Sequence, residues 1–451
     1  MRHSAALALS ALGVASAGCS FGPVHGYSPD EGVEFTSTDL EIIRRELGSL
    51  PAKPPQDPTN LFADDRDAAV LGQQLFFETR YSKNGDISCA TCHDPATGFQ
   101  DRRANTSQGV AFTARHTPTV FNVGFGPGRA GSTVWLTWDG KKDSLWSQAL
   151  ASPESPVDMG GSRVKVALLL YDKYRQPYTA LFGDMPELRD GAGNPLVIPG
   201  ALPLKPGATA SAETMAWDAL SDTLKDQITR VYVNFGKAIA AYERLLVTRD
   251  ARFDSFYAEI DGGATHSKVL DQAEARGLKV FIGNGKCVSC HLGPNFSDWK
   301  FHNIGIDQLG ENIPMADEGR AAGLPKLLAD PFNCAGAYSD RSDKVGCAVN
   351  GIVLDDGTLV PAEGAFKTPT LRNVSLTAPY FHTGSEASLA DVVDHYDEGG
   401  DQAGRFTGTV DTNVQRLGLT DEEKADVVRF LQTLDGVALP SSLVSEPALP
   451  D

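Results

Sequence analysis

The chain has 451 residues, of which 41% are hydrophobic and 22% charged, and its net charge is -18. This length exceeds one compact core and predicts two domains with long loops or tails. The acidic balance argues against nucleic acid as a partner, because no basic footprint is present; it would steer a cationic redox protein, or simply solvate the surface.

Residues 1–18 read as an export signal, with Arg2 as the positive start and 4–17 as an apolar stretch too short to span a bilayer. Ser16-Ala17-Gly18-Cys19 is similar to a lipoprotein cleavage box with Cys19 as the lipidated first residue, and ordinary cleavage after Ala17 is the alternative. Of the seven cysteines, four fall in two C-x-x-C-H motifs and Cys334 and Cys347 can pair, which leaves Cys19 as the odd one. The expected location is the periplasm, with a lipid anchor on Cys19. No later run is apolar enough for a membrane helix.

Residues 19–60 form a Pro-rich lead with one short helix, opened by a capping box in Thr38-Asp39-Leu40-Glu41 and stopped near Gly48. An amphipathic helix over 64–77 runs into Cys89-Ala90-Thr91-Cys92-His93, and a matching helix over 269–281 runs into Cys287-Val288-Ser289-Cys290-His291. Gly72 to Phe76 and Gly277 to Phe281 carry the same local pattern, a weak internal repeat that predicts two related halves at 61–245 and 246–436. Between the motifs, 164–174 and 224–246 have helical spacing, Pro177 should stop or kink the first, and 186–206 reads as an inserted loop. Residues 303–364 show little periodicity, and a Cys334–Cys347 disulfide would brace that loop with roughly 3 kcal/mol. A capping box at Thr420 opens a terminal helix over 420–434, expected to pack back on the first domain, and 437–451 is a tail. The fold class is mainly α, with two cytochrome c-like haem domains, long loops and little β.

The two C-x-x-C-H motifs carry the chemistry. Two thiols three positions apart add across the haem vinyl groups, and the next residue then sits under the iron as its proximal ligand. Cys89, Cys92 and His93 would hold one haem, and Cys287, Cys290 and His291 a second. Zinc-binding half-sites are the alternative, which the His after each pair and the long separation disfavour.

Three further blocks extend the pattern: Arg115-His116-Thr117-Pro118-Thr119-Val120-Phe121-Asn122; Trp138-Asp139-Gly140 with Gln148 and Pro156-Val157-Asp158-Met159; and Phe366 to Asn373 continuing through Thr377, Pro379 and His382. With the haem motifs they resemble the bacterial dihaem cytochrome c peroxidases and their MauG-type relatives over roughly 61–434. The resemblance implies peroxide chemistry at the N-terminal haem and electron storage or relay at the C-terminal one. It makes Gln148 and Asp158 the pair that handles the peroxide protons; relatives generally have Glu at the second position, and Asp is shorter by about 1.5 Å. A His that blocks the iron in some relatives falls on Gln108, so the first iron should be open, with His116 as a displaced distal ligand in the alternative.

The same resemblance places Tyr396, or less favourably His395 or Met315, as second ligand of the C-terminal haem. A phenolate there would favour ferric iron. Trp138 falls between the haems as an electron station, with Trp135 and Trp146 nearby, and Arg372 either pairs with a haem propionate or braces the fold. Calcium enters as a candidate third cofactor, held by the carbonyls of Thr377 and Pro379, although His116 stands where an oxygen ligand is expected. Three functions follow: a peroxidase fed by a small cytochrome c or cupredoxin; a MauG-like oxidase acting on a partner protein; and a plain electron carrier with both irons capped.

Overall fold

A computed structural model describes residues 33–126, 135–205, 208–352 and 363–451. The signal and lipidation readings, including Cys19, lie outside these residues, as does the 353–362 part of the second long loop. The described chain has fourteen α-helices and two strand pairs of two residues each, β1 (Val33–Glu34) with β2 (His266–Ser267) and β3 (Phe301–His302) with β4 (Phe366–Lys367). It is mainly α with little β, as the sequence predicts.

Each lobe is built on a crossed helix pair. In the first, α2 (Arg66–Phe77) packs on α8 (Asp222–Glu243); in the second, α10 (Gln272–Ile282) packs on α13 (Asp421–Gln432). The repeat in the sequence marks the crossing points. A methyl group on Gly72 would lie 1.9 Å from the Ala238 carbonyl oxygen, and one on Gly277 lies equally close to that of Asp426. Only a residue without Cβ lets the backbones approach this far. Phe76 and Phe281 follow one turn later and lie edge-on or tilted against Tyr242 and Phe430. Asp65 caps α2 through the Asp67 and Ala68 amides, and Asp271 with Glu274 forms a capping box on α10.

The first lobe adds α3 (Cys89–Cys92), α4 (Leu145–Ala149), α5 (Arg163–Lys173), α6 (Arg175–Phe182) and α7 (Ala212–Asp218). Pro177 sits in the first turn of α6, after the break at Tyr174, where its missing N–H costs nothing. The 186–206 insertion is anchored by Leu188, Val197 and Ala201, all buried in the first core. The second lobe adds α9 (Arg252–Asp261) and α12 (Leu389–Glu398), and α11 (Arg320–Leu328) packs with Cys334, Cys347 and Trp135 in a small cluster of its own. Sequence periodicity missed α11 because Gly319, Gly323 and Pro325 dilute its pattern. A disulfide joins Cys334 and Cys347.

The chain ends do not respect the sequence boundaries. The lead helix α1 (Ser37–Glu46) lies on the second lobe, where Leu40, Ile43 and Leu47 join its core and Arg44 donates to the Ile260 carbonyl. Its capping box is Thr36 with Asp39, two residues ahead of the predicted one, because the Thr36 hydroxyl and the Asp39 carboxylate satisfy each other's backbone amides. The terminal helix does not pack back on the first lobe. Val427, Phe430 and Leu431 bury against α10, and the tail with α14 (Ser441–Val444) makes the return instead. Leu443 and Val444 lie on the first core, where Tyr242 and Gln73 donate to the carbonyls of Leu443 and Ser442. Residues 320–345 also cross over: Phe332 joins the first core, and Asp340 pairs with Lys237 at 2.7 Å.

Candidate dihaem site

The motif histidines are oriented alike. His93 Nδ1 lies 3.2 Å from the Phe99 carbonyl oxygen, and His291 Nδ1 lies 3.0 Å from that of Phe296. Phe99 (φ 56°) and Phe296 (φ 51°) are both left-handed, which turns each carbonyl back onto its imidazole. A carbonyl accepts only from N–H, so Nδ1 carries the proton and Nε2 keeps a free lone pair, the tautomer a metal ligand needs. Burial pushes both histidines below their usual pKa, His291 to about 4, so each stays neutral. The four motif thiols form no disulfide, and Cys89 and Cys287 are pushed up by burial.

A cavity of about 270 Å³ opens over His291. Cys287, Cys290 and Tyr396 line it, and its wall reaches across the lobe boundary to Phe121, Trp138 and His116. Tyr396 projects from α12, with its hydroxyl making no hydrogen bond among the described residues. Its rivals are placed elsewhere. His395 Nε2 is tied to the Ile304 carbonyl at 2.8 Å, and Met315 is 93% exposed. Burial pushes the Lys367 ammonium, on the same wall, down to about 8; it donates to the Thr368 carbonyl and has no carboxylate within salt-bridge distance among the described residues. A lone cation in an apolar cavity suits a cofactor that carries carboxylates.

Arg372 does not take that role. It is 2% exposed, pairs with Asp254 at 2.8 Å, and donates to the carbonyls of Pro294 and Gly48. It braces the lead segment against the second lobe. Trp138 donates its indole N–H to the His116 carbonyl at 2.8 Å and meets His382 edge-on, so it stands where the lobes join. Trp146 is buried within the first core, and Trp135 lies under the Arg320 guanidinium.

On the first lobe, Asp158 is half-buried, with Ser152, Ser155 and Lys141 as its polar neighbours and Cys92 close enough to feel its charge. Burial raises its carboxyl, and Lys141 opposes the rise. Gln148 on α4 is half-buried too, and no side-chain hydrogen bond joins it to Asp158 among the described residues. Gln108 is exposed, its carbonyl taken by Arg103. His116 is 2% exposed; its Nδ1 lies 2.8 Å from the Asn105 carbonyl oxygen and its Nε2 is buried without a partner.

Sequence reading missed the charges that clamp the lobes. Arg115 forms a two-pronged pair with Asp317, both bonds 2.7 Å, and also meets Asp139. Arg115 holds Asp139 down at about 2 despite its burial. It missed Gln100 as well, whose amide nitrogen donates to the carbonyls of both Thr377 and Pro379. Those two oxygens were the expected calcium ligands. An N–H group set between them, with an imidazole instead of an oxygen at residue 116, does not fit a calcium ion.

Residues 66–261 match the model of the di-haem cytochrome c peroxidase family. That match takes in the first motif and its lobe, and the likeness to curated relatives extends over most of the chain. It is 28% identical to the methylamine utilization protein MauG of Methylophilus methylotrophus, covering 89% of this chain and 90% of that one. It is 29% identical to a cytochrome-c peroxidase of Denitromonas iodatirespirans, covering 86% of each. Among solved structures it is similar to a MauG-like protein associated with microbial copper homeostasis, at 25% identity and a TM-score of 0.58, over 88% of this chain and 98% of that one. The diheme peroxidase BthA of Burkholderia thailandensis shares the fold at 20% identity, with a TM-score of 0.57 over 90% of this chain and 99% of that one. The chain is thus similar to di-haem oxidoreductases, and the two like-oriented motif histidines fit two haems.

Among the described residues, no helix is long and apolar enough to cross a membrane.

Proposed function

We propose that this protein is a periplasmic dihaem c-type peroxidase, lipid-anchored through Cys19, that reduces hydrogen peroxide at the N-terminal haem with electrons delivered through the C-terminal haem. The observation that carries this reading is the shared orientation of His93 and His291, each with Nδ1 against the carbonyl oxygen of a left-handed Phe. Cys89 and Cys92 would hold one haem and Cys287 and Cys290 the other, through thioether bonds. A haem held there would supply redox chemistry towards peroxide.

The chain's own groups handle the protons. Asp158 takes the first proton from peroxide and returns it to the leaving oxygen, and the Gln148 amide orients the substrate by hydrogen bonding. Burial raises this half-buried carboxyl above its usual range, so it holds a proton more readily than an exposed one, as a group that must accept and then return a proton should. The Lys141 charge opposes that rise and favours the ionised form that acts as the base. Trp138, at the lobe boundary and on the wall of the His291 cavity, is the electron station between the halves. A small cytochrome c or cupredoxin is the donor.

A second reading is favoured by Tyr396. With Met315 out in solvent and Tyr396 lining the same cavity as His291, an anionic second ligand would favour stored oxidising equivalents, and the protein would modify a partner protein as MauG-like oxidases do. Rapid mixing of the resting holoprotein with peroxide tests both. A spectral change that decays on adding reduced donor supports the peroxidase, and a long-lived oxidised state that decays only with a protein substrate supports the second reading. Low-spin iron that ignores peroxide before and after partial reduction would leave an electron carrier.

A further inference from the structure

Gln100 ties together the two halves of the molecule at a point that also bears on His93. The residue is 5% exposed, and its amide nitrogen donates to the Thr377 carbonyl and, at 2.9 Å, to the Pro379 carbonyl. Its backbone follows directly on Phe99, whose carbonyl sets the His93 ring. The Thr97 hydroxyl donates to the Gln100 carbonyl at 2.6 Å, and the Thr119 hydroxyl donates to the Gly98 carbonyl at 2.5 Å, so the loop is pinned on both sides.

The nearby donors are wrong for a hard cation. A calcium ion needs oxygens at about 2.3–2.6 Å. Here the two carbonyls face a carboxamide whose hydrogens already point at them, and an ion in the same cleft would meet the positive end of the N–H dipoles. The remaining neighbour, His116, offers only a nitrogen, since its Nδ1 is committed to the Asn105 carbonyl and its Nε2 is the free lone pair.

We propose that the Gln100 carboxamide is a built-in, metal-independent strut: it bridges the Thr377 and Pro379 carbonyls as a cation would, and so couples the loop that orients His93 to the second lobe. Gln100 is thus a positioning residue. Its effect on the first haem runs through Phe99 and His93 and does not depend on which reaction the protein carries out.

The test uses the purified holoprotein, with metal content, thermal midpoint and haem absorption measured before and after chelation and after adding millimolar calcium chloride. The strut predicts no bound calcium, and neither treatment moves the midpoint or the spectrum. One calcium per chain, or a midpoint that falls on chelation and returns with calcium, overturns it. The variant Gln100→Glu supplies the missing oxygen donor: its carboxylate faces two carbonyls and should lower the midpoint by several degrees until calcium restores it. Gln100→Met should lower the midpoint without calcium rescue and shift the absorption of the His93 haem. An unchanged midpoint and spectrum in Gln100→Met would overturn the coupling even if no calcium is found. Should neither variant fold, the chelation result on the natural protein decides.

Discussion

Gly277 on α10 and Asp426 on α13 cross so closely that a methyl group on the glycine would lie 1.9 Å from the aspartate's carbonyl oxygen. The contact is backbone on backbone, so no rotamer change can relieve it. Gly277→Ala gains up to ~1 kcal/mol of helix propensity but overpacks the crossing by more, about 1–3 kcal/mol. Gly72→Ala should act likewise on the first lobe, where the opposing atom is the Ala238 carbonyl oxygen. Both are expected to lower the thermal midpoint of the holoprotein, and a midpoint at or above the natural one would show that the helices can slide apart freely.

Tyr396 is expected to cap the second iron. Tyr396→Phe should add a high-spin signal to the resting electron paramagnetic resonance spectrum, whereas His395→Ala should not, because His395 is spent on the Ile304 carbonyl. Tyr396→Met should raise the potential of that haem, as a thioether favours ferrous iron. The opposite pattern, with His395→Ala opening the iron, would transfer the ligand role to its neighbour.

Arg372 should behave as a structural cation. Removing it leaves Asp254 and the carbonyls of Gly48 and Pro294 without their donor. Arg372→Leu should therefore cost about 3–5 kcal/mol of stability and leave the haem potentials where they are. A variant that keeps its stability but shifts a potential would restore the propionate role.

Glu243 gives the stability a pH dependence of definite sign. Burial raises its carboxyl to about 8, and it lies 4% exposed with one carboxyl oxygen unpartnered. The folded protein keeps this proton where the unfolded chain releases it, so its contribution is full below the unfolded pKa near 4.5 and is lost as pH rises towards 8. Glu243→Gln should be similar to the natural protein in stability at pH 4 and more stable at pH 8, by on the order of 4 kcal/mol. Equal stabilities at both pH values would mean that the site is hydrated in solution.

The Cys334–Cys347 bond closes a short loop, with a sequence separation of 13. Replacing both with Ser should cost roughly 3 kcal/mol through the freed unfolded chain. The loss should appear as early protease cleavage within 330–350, and unaltered protection there would show that the Asp143 bond to the Cys334 amide and the Lys237–Asp340 pair hold the segment unaided.

How much was legible beforehand follows from the range of each interaction. The haem motifs, the capped helices before them and the Gly-to-Phe repeat could be read because their chemistry lies within a dozen residues of chain. The Thr36 cap and helix α11 were misread on the same scale, where Asp stood in for Glu and Gly and Pro thinned the apolar period.

What the linear sequence determined by itself was the mainly α class, the two C-x-x-C-H sites and the pairing of Cys334 with Cys347, since valence and local periodicity suffice for those. Only the tertiary structure decided that Arg372 braces the second lobe, that Met315 faces solvent while Tyr396 faces the cavity, and that Gln100 fills the cleft between two carbonyls. Each of those outcomes depends on which of several chemically eligible groups occupies a shared point in space, and partners 118 to 324 residues apart leave no periodic trace of their meeting.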